Sequence, residues 1–343
     1  MKIKLTKSKP INVEQWEQLC INNGNFLQST LYDKIEKIDN QESFFLQIIN
    51  DQQLVGGTKI RLWTSRYKFI KFYKRSSIFG EYIINKDFID CKTVIELLNE
   101  NVKNFITEHK VSYFSHKGFF SSYINGYSGD LLFIDKTTKP QNFFFNVAYL
   151  DLTKSEEDLF AGMHHKHRQH INKAIKLGIK VEENDNAEFL NKMLAETYKI
   201  QQKTGPNIRY VKNCVEISLK NNFGKVVSVQ QNDEISASLF CQYLGDVSYA
   251  IFSGSIKDNN NGAGKLLHWE IIKHFKNMGC KYFVFGQSAN EKVEGNDKFT
   301  SGITDFKAKF GCEYFPSQYN LYTYKPFACK TFQLFQRINN LQR

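Results

Sequence analysis

The spacing of apolar and polar residues in the first half of the chain predicts a strand, two helices, a strand meander, a longer helix and a strand. Segments rich in aromatic and β-branched residues at 42–49, 53–63 and 67–73 are separated by polar turns, which is typical of paired strands. Apolar residues three and four positions apart over 93–110 predict an amphipathic helix. The remaining predicted elements are a basic strand near 2–7, helices around 12–22 and within 29–37, and a strand at 111–116.

The second half of the chain repeats this order more completely. Ser155 predicts the N-cap of a helix that runs through Leu177, and Gly178 predicts its end. Asn232-Asp233 and Gly245-Asp246 are common hairpin residues and predict a three-stranded meander. The other predicted elements are strands at 147–152, 225–231, 234–244, 247–255, 281–286 and near 319–324, and helices at about 186–203, 264–278 and 301–309. Because no stretch of sequence is repeated, the duplication is inferred from element order alone.

By analogy of topology, this order of elements resembles that of the GNAT acyltransferase fold. A chain of 343 residues also exceeds the size at which a single hydrophobic core usually stops growing, so two domains are expected. The sequence therefore predicts an α+β protein of mixed α/β elements, with two GNAT-like acyltransferase domains that are each a mostly antiparallel sheet flanked by helices. Element order does not establish a function, which depends on particular residues.

Composition indicates an ordered globular protein, with 41% hydrophobic and 24% charged residues. The first ten residues carry positive charge but no apolar stretch follows them, and no apolar run approaches the roughly 20 residues of a membrane helix. We therefore expect no transmembrane segment and a cytoplasmic location. The 7 cysteines form no C-x-x-C pair, which argues against a zinc ribbon and a disulfide framework.

The chain has 46 Lys+Arg against 35 Asp+Glu, a formal net charge of +11. Such an excess favours anionic partners such as a nucleotide, a phospholipid-linked sugar, coenzyme A or tRNA. An AT-rich genome that encodes much lysine explains the same excess, so charge supports a function without establishing one.

A glycine-rich turn precedes the helix predicted at 264–278. Gly262 and Gly264 leave the start of this helix without side chains, so backbone N–H groups and the helix dipole are able to meet a phosphate. In GNAT enzymes this turn has the pattern Gln/Arg-x-x-Gly-x-Gly/Ala and holds the pyrophosphate of acyl-coenzyme A. The corresponding residues here are Asn259, Gly262, Ala263, Gly264 and Lys265, with Asn259 in place of the usual first residue. A glycine-rich turn is also commonly only a turn.

Four histidines lie in the helix predicted from Ser155, at positions 164, 165, 167 and 170. Metal ligands normally come with carboxylate or thiolate support, and none lies nearby in sequence, so a solvated basic helix face is the better interpretation. The predicted buried stripe consists of Phe160, Met163, His167, Ile171 and Ala174, and the side chains predicted to face solvent are Lys166, His170, Lys173 and Lys176.

Several motifs resemble the Fem family of aminoacyltransferases, which form peptidoglycan bridges, and the related BioF2-like acetyltransferase domains. The first is K-x-R-x-x-I-x-K-A-x-K-x-G, which begins at Lys166 and ends at Gly178. The second is LLHWEIIKHFKNMGCKYFVFG at 266–286, and the third is GITDFKAKFG at 302–311. Weaker similarity in FLQSTLYDK and DQQLVGG extends the resemblance to most of the chain, and it is specific only over 149–313.

The resemblance implies two facing GNAT-like domains, with the C-terminal end returning to the first. That gives 1–146 plus about 319–343 for the first domain and 147–318 for the second, BioF2-like domain, which carries the donor loop. Some Fem enzymes have a coiled-coil insertion, but no sustained heptad run occurs in this chain.

The resemblance also implies roles for individual residues. Lys307 would stabilise the oxyanion in acyl transfer, and Phe306 would form the channel wall beside it. Arg209 and Tyr210 would contact phosphates of the acceptor, as would Lys34. No general base is identified: the nearby carboxylates are Asp305, Glu270 and Glu313, and none stands out.

The function predicted is transfer of an acyl or aminoacyl group to an amine of a cell-envelope precursor, either peptidoglycan or polysaccharide, that is nucleotide- or lipid-linked. The donor is acyl-CoA or aminoacyl-tRNA, with no bound cofactor and no metal. The partners expected are an anionic small-molecule or lipid-linked precursor and, if the donor is aminoacyl-tRNA, tRNA. A peripheral contact with the membrane is left open. The alternatives are an acyl-CoA-dependent GNAT N-acetyltransferase acting on a small amine or amino sugar, and a catalytically idle GNAT-like scaffold.

Overall fold

The computed structural model describes residues 1–36, 40–67, 70–88, 90–120, 132–184, 186–200, 202, 204–231, 234–255, 261–288 and 298–341. The chain divides into two compact units. The first comprises Met1–Asp33, Lys37–Phe144 and Ser317–Arg343, and the second comprises Lys34–Glu36 and Phe145–Pro316.

The first unit is a sheet with helices. Its strands are β1 (Lys2–Lys7), β2 (Gln41–Asn50), β3 (Gln53–Tyr67), β4 (Ile70–Phe79), β5 (Ile83–Ile84) and β6 (Tyr113–Lys117). Its helices are α1 (Val13–Asn22), α3 (Cys91–Glu108) and the start of α2 (Tyr32–Ile35), whose last two residues belong to the second unit. The strand β13 (Glu313–Thr323) and the helix α10 (Pro326–Leu341) belong largely to this unit. The strand order is β1-β2-β3-β4-β6-β13, in which β4 and β6 are parallel and the other neighbours antiparallel.

One face of this sheet forms a core with α3. Asp90 caps α3 by accepting a hydrogen bond from Thr93 N, and the helix buries an apolar stripe that includes Val94 and Leu98. These side chains belong to one hydrophobic cluster with residues of β2 and β3 such as Leu46. The crossing of α3 over the sheet brings β6 alongside β4 in parallel.

The second unit is also a sheet with helices. Its strands are β7 (Gln141–Asp151, which begins in the first unit), β8 (Lys180–Glu183), β9 (Gly224–Gln231), β10 (Glu234–Leu244), β11 (Val247–Ser255) and β12 (Tyr282–Ser288). Its helices are α4 (Glu156–Gly162), α5 (His165–Lys176), α6 (Ala187–Ile200), α7 (Ile208–Lys220), α8 (Ala263–Asn277) and α9 (Lys298–Ala308). The strand order is β8-β9-β10-β11-β12-β7, in which β11 and β12 are parallel and the other neighbours antiparallel. The mixed α/β fold class predicted from the sequence is confirmed.

The helix predicted from Ser155 through Leu177 is in fact two helices, so that prediction was wrong. α4 ends at Gly162, and Met163 has an extended backbone with φ −71° and ψ 147°. The break places His164 N against the carbonyl of Lys309 at 2.9 Å, and Arg168 donates to the carbonyls at the end of α4. Contacts distant in sequence and the Arg168 side chain therefore replace helical hydrogen bonds that are lost at the break.

The sequence-based prediction omitted several elements, among them the edge strand β8 and the helices α7 and α10. Asn207 caps α7 by accepting from Arg209 N and Tyr210 N. The predicted turn at Gly245 is present, with φ +56°, whereas the predicted turn at Asn232-Asp233 lies outside the described residues.

Candidate active site

The packing of the second unit explains the glycine at the N-cap of α8. Gly262 is the N-cap residue and has φ +86°, a conformation that L side chains rarely adopt. A Cβ built there would lie 2.1 Å from the carbonyl oxygen of His170 on α5. The need for glycine at 262 therefore comes from packing. His170, predicted to face solvent, is only partly exposed.

Gly264, in contrast, has no packing reason to be glycine. A Cβ built on it would meet no atom of the described residues within 4 Å. Ala263 N donates to the Asn261 side chain at 2.9 Å, and Lys265 N donates to Gly262 O at 3.0 Å. Within the described part of the chain the Gly264 N–H has no acceptor, so this amide of the first turn is available to a ligand.

Two other residues of the predicted donor loop give less evidence for a donor site. Lys265 is partly buried beside this turn, and Asn259 lies outside the described residues.

The parallel strands joined by α8 separate after a short pairing. β11 and β12 pair over three positions that end at Tyr249–Val284, although β11 continues to Ser255 and β12 to Ser288. We term the described strand segments beyond Tyr249 and Val284 the β11–β12 opening. Because the two strands do not pair with each other there, backbone groups on the facing edges are able to bind an extended ligand.

The first unit differs at the corresponding place. Its parallel strands β4 and β6 remain paired over five positions, from Arg75–Tyr113 to Phe79–Lys117. The crossing helix α3 is capped by the carboxylate of Asp90, which occupies the position where an anion would otherwise meet the helix dipole. Of the two units, as far as they are described, the second therefore combines an open helix start with separated strands.

Lys307 is buried at the end of β12. Its side chain comes from α9, the residue is 8% exposed, and Nζ donates to Gln287 O at 2.6 Å and to Gly286 O at 3.4 Å. These carbonyls account for two of the three N–H bonds of the ammonium group. Burial lowers the pKa of Lys307 to about 8. Lys307 is therefore not one of the exposed lysines of the helix surface.

Phe306 belongs to a cluster of rings that joins α5, α8 and α9. Its ring lies 5.1 Å from that of His268, 5.4 Å from that of His167 and 5.1 Å from that of Phe310. Burial lowers the pKa of His167 and of His268 to about 4, so both rings are neutral at physiological pH. Among the described residues, no group of three or more potential ligands is arranged to hold a metal ion.

His268 was not singled out in the sequence, yet it links the start of α8 to the strand β12 that holds Lys307. Its Nδ1 lies 2.7 Å from the carbonyl oxygen of Gly264, and because a carbonyl only accepts, Nδ1 carries the proton. The ring stacks on Phe285 of β12, and the charges of Lys265 and Lys307 add to the effect of burial in lowering its pKa. The i, i+4 spacing from Gly264 was the available sequence signal.

The predicted acceptor residues Arg209 and Tyr210 lie at the start of α7. Arg209 is exposed in the first turn, and the Tyr210 ring lies edge-on to Phe252 with centroids 6.1 Å apart. Phe252 is in the part of β11 that borders the β11–β12 opening. The structure thus brings Tyr210 beside the opening, with Arg209 adjacent in the chain.

Lys34 is exposed on α2, and the residues before it are fixed by two buried cations. Lys59 Nζ donates to Ser29 O at 2.6 Å and pairs with Asp33 at 3.1 Å. Arg61 lies over the Tyr32 ring, 4.5 Å from its centroid. The chain that precedes Lys34 is therefore held firmly within the first unit.

The carboxylates considered as general bases all lie in ion pairs. Asp305 pairs with Lys309, and the other two pairs are Glu270 with Lys273 at 2.8 Å and Glu313 with Lys154 at 2.6 Å. Hydrogen bonds from Lys154 and Tyr149 lower the pKa of Glu313. None of these three carboxylates is arranged as a proton acceptor for a reacting amine.

Comparison with known families identifies the second unit. Residues 163–300 match the family model described as an acetyltransferase (GNAT) domain. This part of the chain is similar to GNAT acetyltransferase domains. It contains the open start of α8 and the β11–β12 opening, and the match ends within α9, the helix that carries Lys307.

Solved structures extend the similarity to the whole chain at the level of the fold. A structure of FemX superposes with a TM-score of 0.72 at 12% identity, covering 97% of this chain and 99% of that one. The C-terminal domain of a putative lysylphosphatidylglycerol synthetase from Agrobacterium fabrum gives 0.54 at 12% identity, over 93% and 94% of the chains. A tandem GNAT protein from the clavulanic acid biosynthesis pathway gives 0.51 at 8% identity, over 94% and 98%.

No curated protein sequence matches the chain significantly. The GNAT match and the FemX-like fold confirm the resemblance to Fem and BioF2-like proteins predicted from the sequence, and they support an acyltransferase. None of the described helices is both long and apolar enough to span a bilayer.

Proposed function

We propose that the protein is a cytoplasmic N-acyltransferase that moves an acyl or aminoacyl group onto an amine of a cell-envelope precursor. The observation that carries the proposal is the buried Lys307 ammonium, held by two backbone carbonyls at the end of β12. A cation fixed before the reaction begins is suited to stabilise charge that develops on a carbonyl oxygen, since it needs no reorganisation.

In the proposed reaction the neutral acceptor amine attacks the carbonyl carbon of the donor. The new C–N bond forms as an electron pair of the C=O bond moves to oxygen, and the third N–H of Lys307 binds that oxyanion. Collapse of the intermediate breaks the C–O bond of an aminoacyl ester or the C–S bond of a thioester. The leaving oxygen or sulfur takes the proton from the amine, which is consistent with the ion-paired state of Asp305, Glu270 and Glu313.

The donor site proposed is the open start of α8 together with the β11–β12 opening. A donor phosphate would accept a hydrogen bond from Gly264 N–H and would be stabilised by the helix dipole. The extended part of the donor would lie along the facing strand edges. Acyl-CoA and aminoacyl-tRNA both carry phosphate and a reactive acyl group, so both are candidate donors.

The acceptor proposed carries an anionic handle, such as a nucleotide or lipid diphosphate. Tyr210 beside the opening and the exposed Arg209 next to it in the chain support this, with Lys34 as a second candidate contact. One structural neighbour has a name that assigns it a lipid product, lysylphosphatidylglycerol, so a lipid-linked acceptor is compatible with this fold.

A second candidate function is acetyl transfer from acetyl-CoA to a small amine or amino sugar. The open Gly264 favours it, because this turn is where GNAT enzymes hold the pyrophosphate of coenzyme A. A catalytically idle scaffold is disfavoured. Burying the Lys307 cation, for which no carboxylate partner is present among the described residues, is costly, and a scaffold would gain nothing from it.

Lys307→Met tests the proposed activity. Removing one fixed donor to an oxyanion typically lowers turnover about a hundred- to a thousand-fold, whereas donor affinity should change little because the contact forms in the transition state. The measurement is kcat and KM for transfer from acetyl-CoA and from aminoacyl-tRNA to a diphosphate-linked amine, with the melting temperature as a check of folding.

Lys309→Met is the matched control. Lys309 lies two residues away, pairs with Asp305, and has a side chain that is 30% exposed. This variant should retain nearly full activity. Equal losses in both variants would indicate a general charge effect, and full activity of Lys307→Met would refute the assignment. A wild-type protein without transfer from either donor would favour the scaffold.

A further inference from the structure

The helix α10 has one face that packs on the first unit. Phe332 stacks on Tyr73 with ring centroids 4.3 Å apart and planes at 5°, and its ring lies 5.5 Å from that of Trp63. Cys329, three residues earlier on the same side of the helix, has Sγ 3.6 Å from Ser112 O. These contacts fix which face of α10 is turned toward the sheet.

The opposite face presents apolar and basic side chains to solvent. Phe327 is 84% exposed, more than any other large apolar side chain among the described residues, and Leu334 is 58% exposed. Lys330 lies between them and is also exposed. The spacing i, i+3, i+7 puts these three residues in one row along the helix.

The charged residues of segment 325–343, which contains α10, are all basic. Residues 325–343 include Lys325, Lys330, Arg337 and Arg343, and they include no Asp or Glu. A helix with a row of large apolar side chains and an excess of lysine and arginine is typical of segments that lie in the plane of an anionic membrane surface.

We propose that the outer face of α10, defined by Phe327, Lys330 and Leu334, docks onto an anionic lipid bilayer. The apolar side chains would enter the boundary between headgroups and acyl chains, and the lysine would remain among the lipid phosphates. Charge disfavours a second copy of the chain as the occupant, because a twofold contact would bring the lysines of two α10 helices together. A nucleic acid backbone would satisfy Lys330 but would leave Phe327 without an apolar partner.

The test is sedimentation of the purified full chain with vesicles, in the absence of donor and acceptor. Vesicles of phosphatidylcholine alone are compared with vesicles that also contain phosphatidylglycerol. Binding should require phosphatidylglycerol, and it should fall as salt is raised. The double variant Phe327→Ser/Leu334→Ser should weaken the partition coefficient by at least about tenfold, because it removes the apolar anchors.

Matched variants at the end of α5 provide the controls. Ile175 is 54% exposed and Leu177 is 53% exposed, with the exposed Lys176 between them. Ile175→Ser/Leu177→Ser therefore removes a similar pair of exposed apolar side chains, and Lys176→Gln removes a similar charge. Both control variants should bind vesicles as the wild type does, whereas Lys330→Gln should bind less well.

The proposal would be overturned if the wild type bound both kinds of vesicle equally or bound neither. It would also be overturned if the α10 double variant bound as the wild type does, or if the α5 variants lost as much binding as the α10 variants. Self-association that the α10 double variant abolishes, seen by analytical ultracentrifugation, would assign the face to a second copy. Because no catalysis is measured, failure of this proposal and failure of the proposed activity remain distinguishable.

Discussion

Lys307 illustrates what a motif predicts about a residue and what it leaves out. The similarity of 302–311 to a family motif predicted the importance of this lysine. It did not predict that the side chain turns inward onto the carbonyls of Gly286 and Gln287, some twenty residues earlier. The lowered pKa follows from that burial, which depends on the packing of α9 against β12 and not on the local sequence.

A pH profile tests the role of the Lys307 charge. Burial lowers its folded-state pKa to about 8, so the cation is the main form at pH 7 and is lost as the pH rises above 8. If the charge stabilises the oxyanion, single-turnover rates should fall on the alkaline side with an apparent pKa near 8. Lys307→Arg keeps its charge at all accessible pH values, so whatever activity it retains should lack this alkaline limb. A wild-type rate that keeps rising through the alkaline range would contradict the role.

The two glycines of the donor loop show a second limit on what the sequence predicts about single residues. In the sequence they are equivalent, since each removes a side chain from the start of a helix. In the structure Gly262 is required by its positive φ and by the His170 carbonyl, whereas Gly264 faces open space. A substitution at 262 would disturb packing whether or not a phosphate binds there, so it does not test the donor site.

At the scale of the element, most strands and helices followed from hydrophobic spacing, whereas the break between α4 and α5 has a tertiary cause. The break between α4 and α5 depends on His164 N meeting the Lys309 carbonyl, and on the close approach of Gly311 to Gly162. Neither contact is visible in the local pattern. α7 is a different case, because its local signals were present and were missed: Asn207 is a common N-cap residue, and the buried Val211, Cys214 and Val215 have helical spacing.

The first turn of α8 can be tested through Gly264. Gly264→Asp should not harm the fold, because the added Cβ meets open space and a carboxylate near a helix N-terminus is favourable by about 0.3–1 kcal/mol. Its melting temperature should therefore equal or exceed that of the wild type. If a donor phosphate binds this turn, the same carboxylate should repel it and weaken donor affinity by at least about tenfold.

Gly264→Asn is the control, since it has the same shape without the charge. Affinity is measured by calorimetric titration with acetyl-coenzyme A and desulfo-coenzyme A. Equal affinities of the Asp and Asn variants would show that no phosphate lies near the turn. If the wild type binds neither compound, coenzyme A is excluded as the donor and the titration is repeated with aminoacyl-tRNA.

At the scale of the whole molecule, the two units share an order of elements but not a site. Each has a meander, a crossing helix and a parallel strand beside the last strand of the meander. The glycines before the crossing helix of the second half predicted a phosphate site in that half. The structure adds two physical reasons that the sequence could not supply: the Asp90 carboxylate at the start of α3 and the uninterrupted pairing of β4 with β6.

The excess of positive charge leads to a prediction for the acceptor. A net charge of +11 and the exposed Arg209 should attract a diphosphate-linked acceptor. Its apparent affinity should therefore fall as added salt shortens the Debye length from about 10 Å to about 3 Å. Arg209→Gln should weaken binding of this acceptor and reduce the salt dependence. The measurement is KM for the acceptor across a salt series.

Lys212→Gln separates the effect of Arg209 from that of charge in general. Lys212 lies on the same helix in a surface pair with Glu216 at 3.7 Å, so its loss changes the net charge equally and leaves the exposed Arg209 of the first turn in place. This variant should keep the wild-type KM and salt dependence. An acceptor without phosphate that reacts equally well, or a KM indifferent to salt, would remove the anionic handle from the proposal and leave a small neutral amine as the substrate.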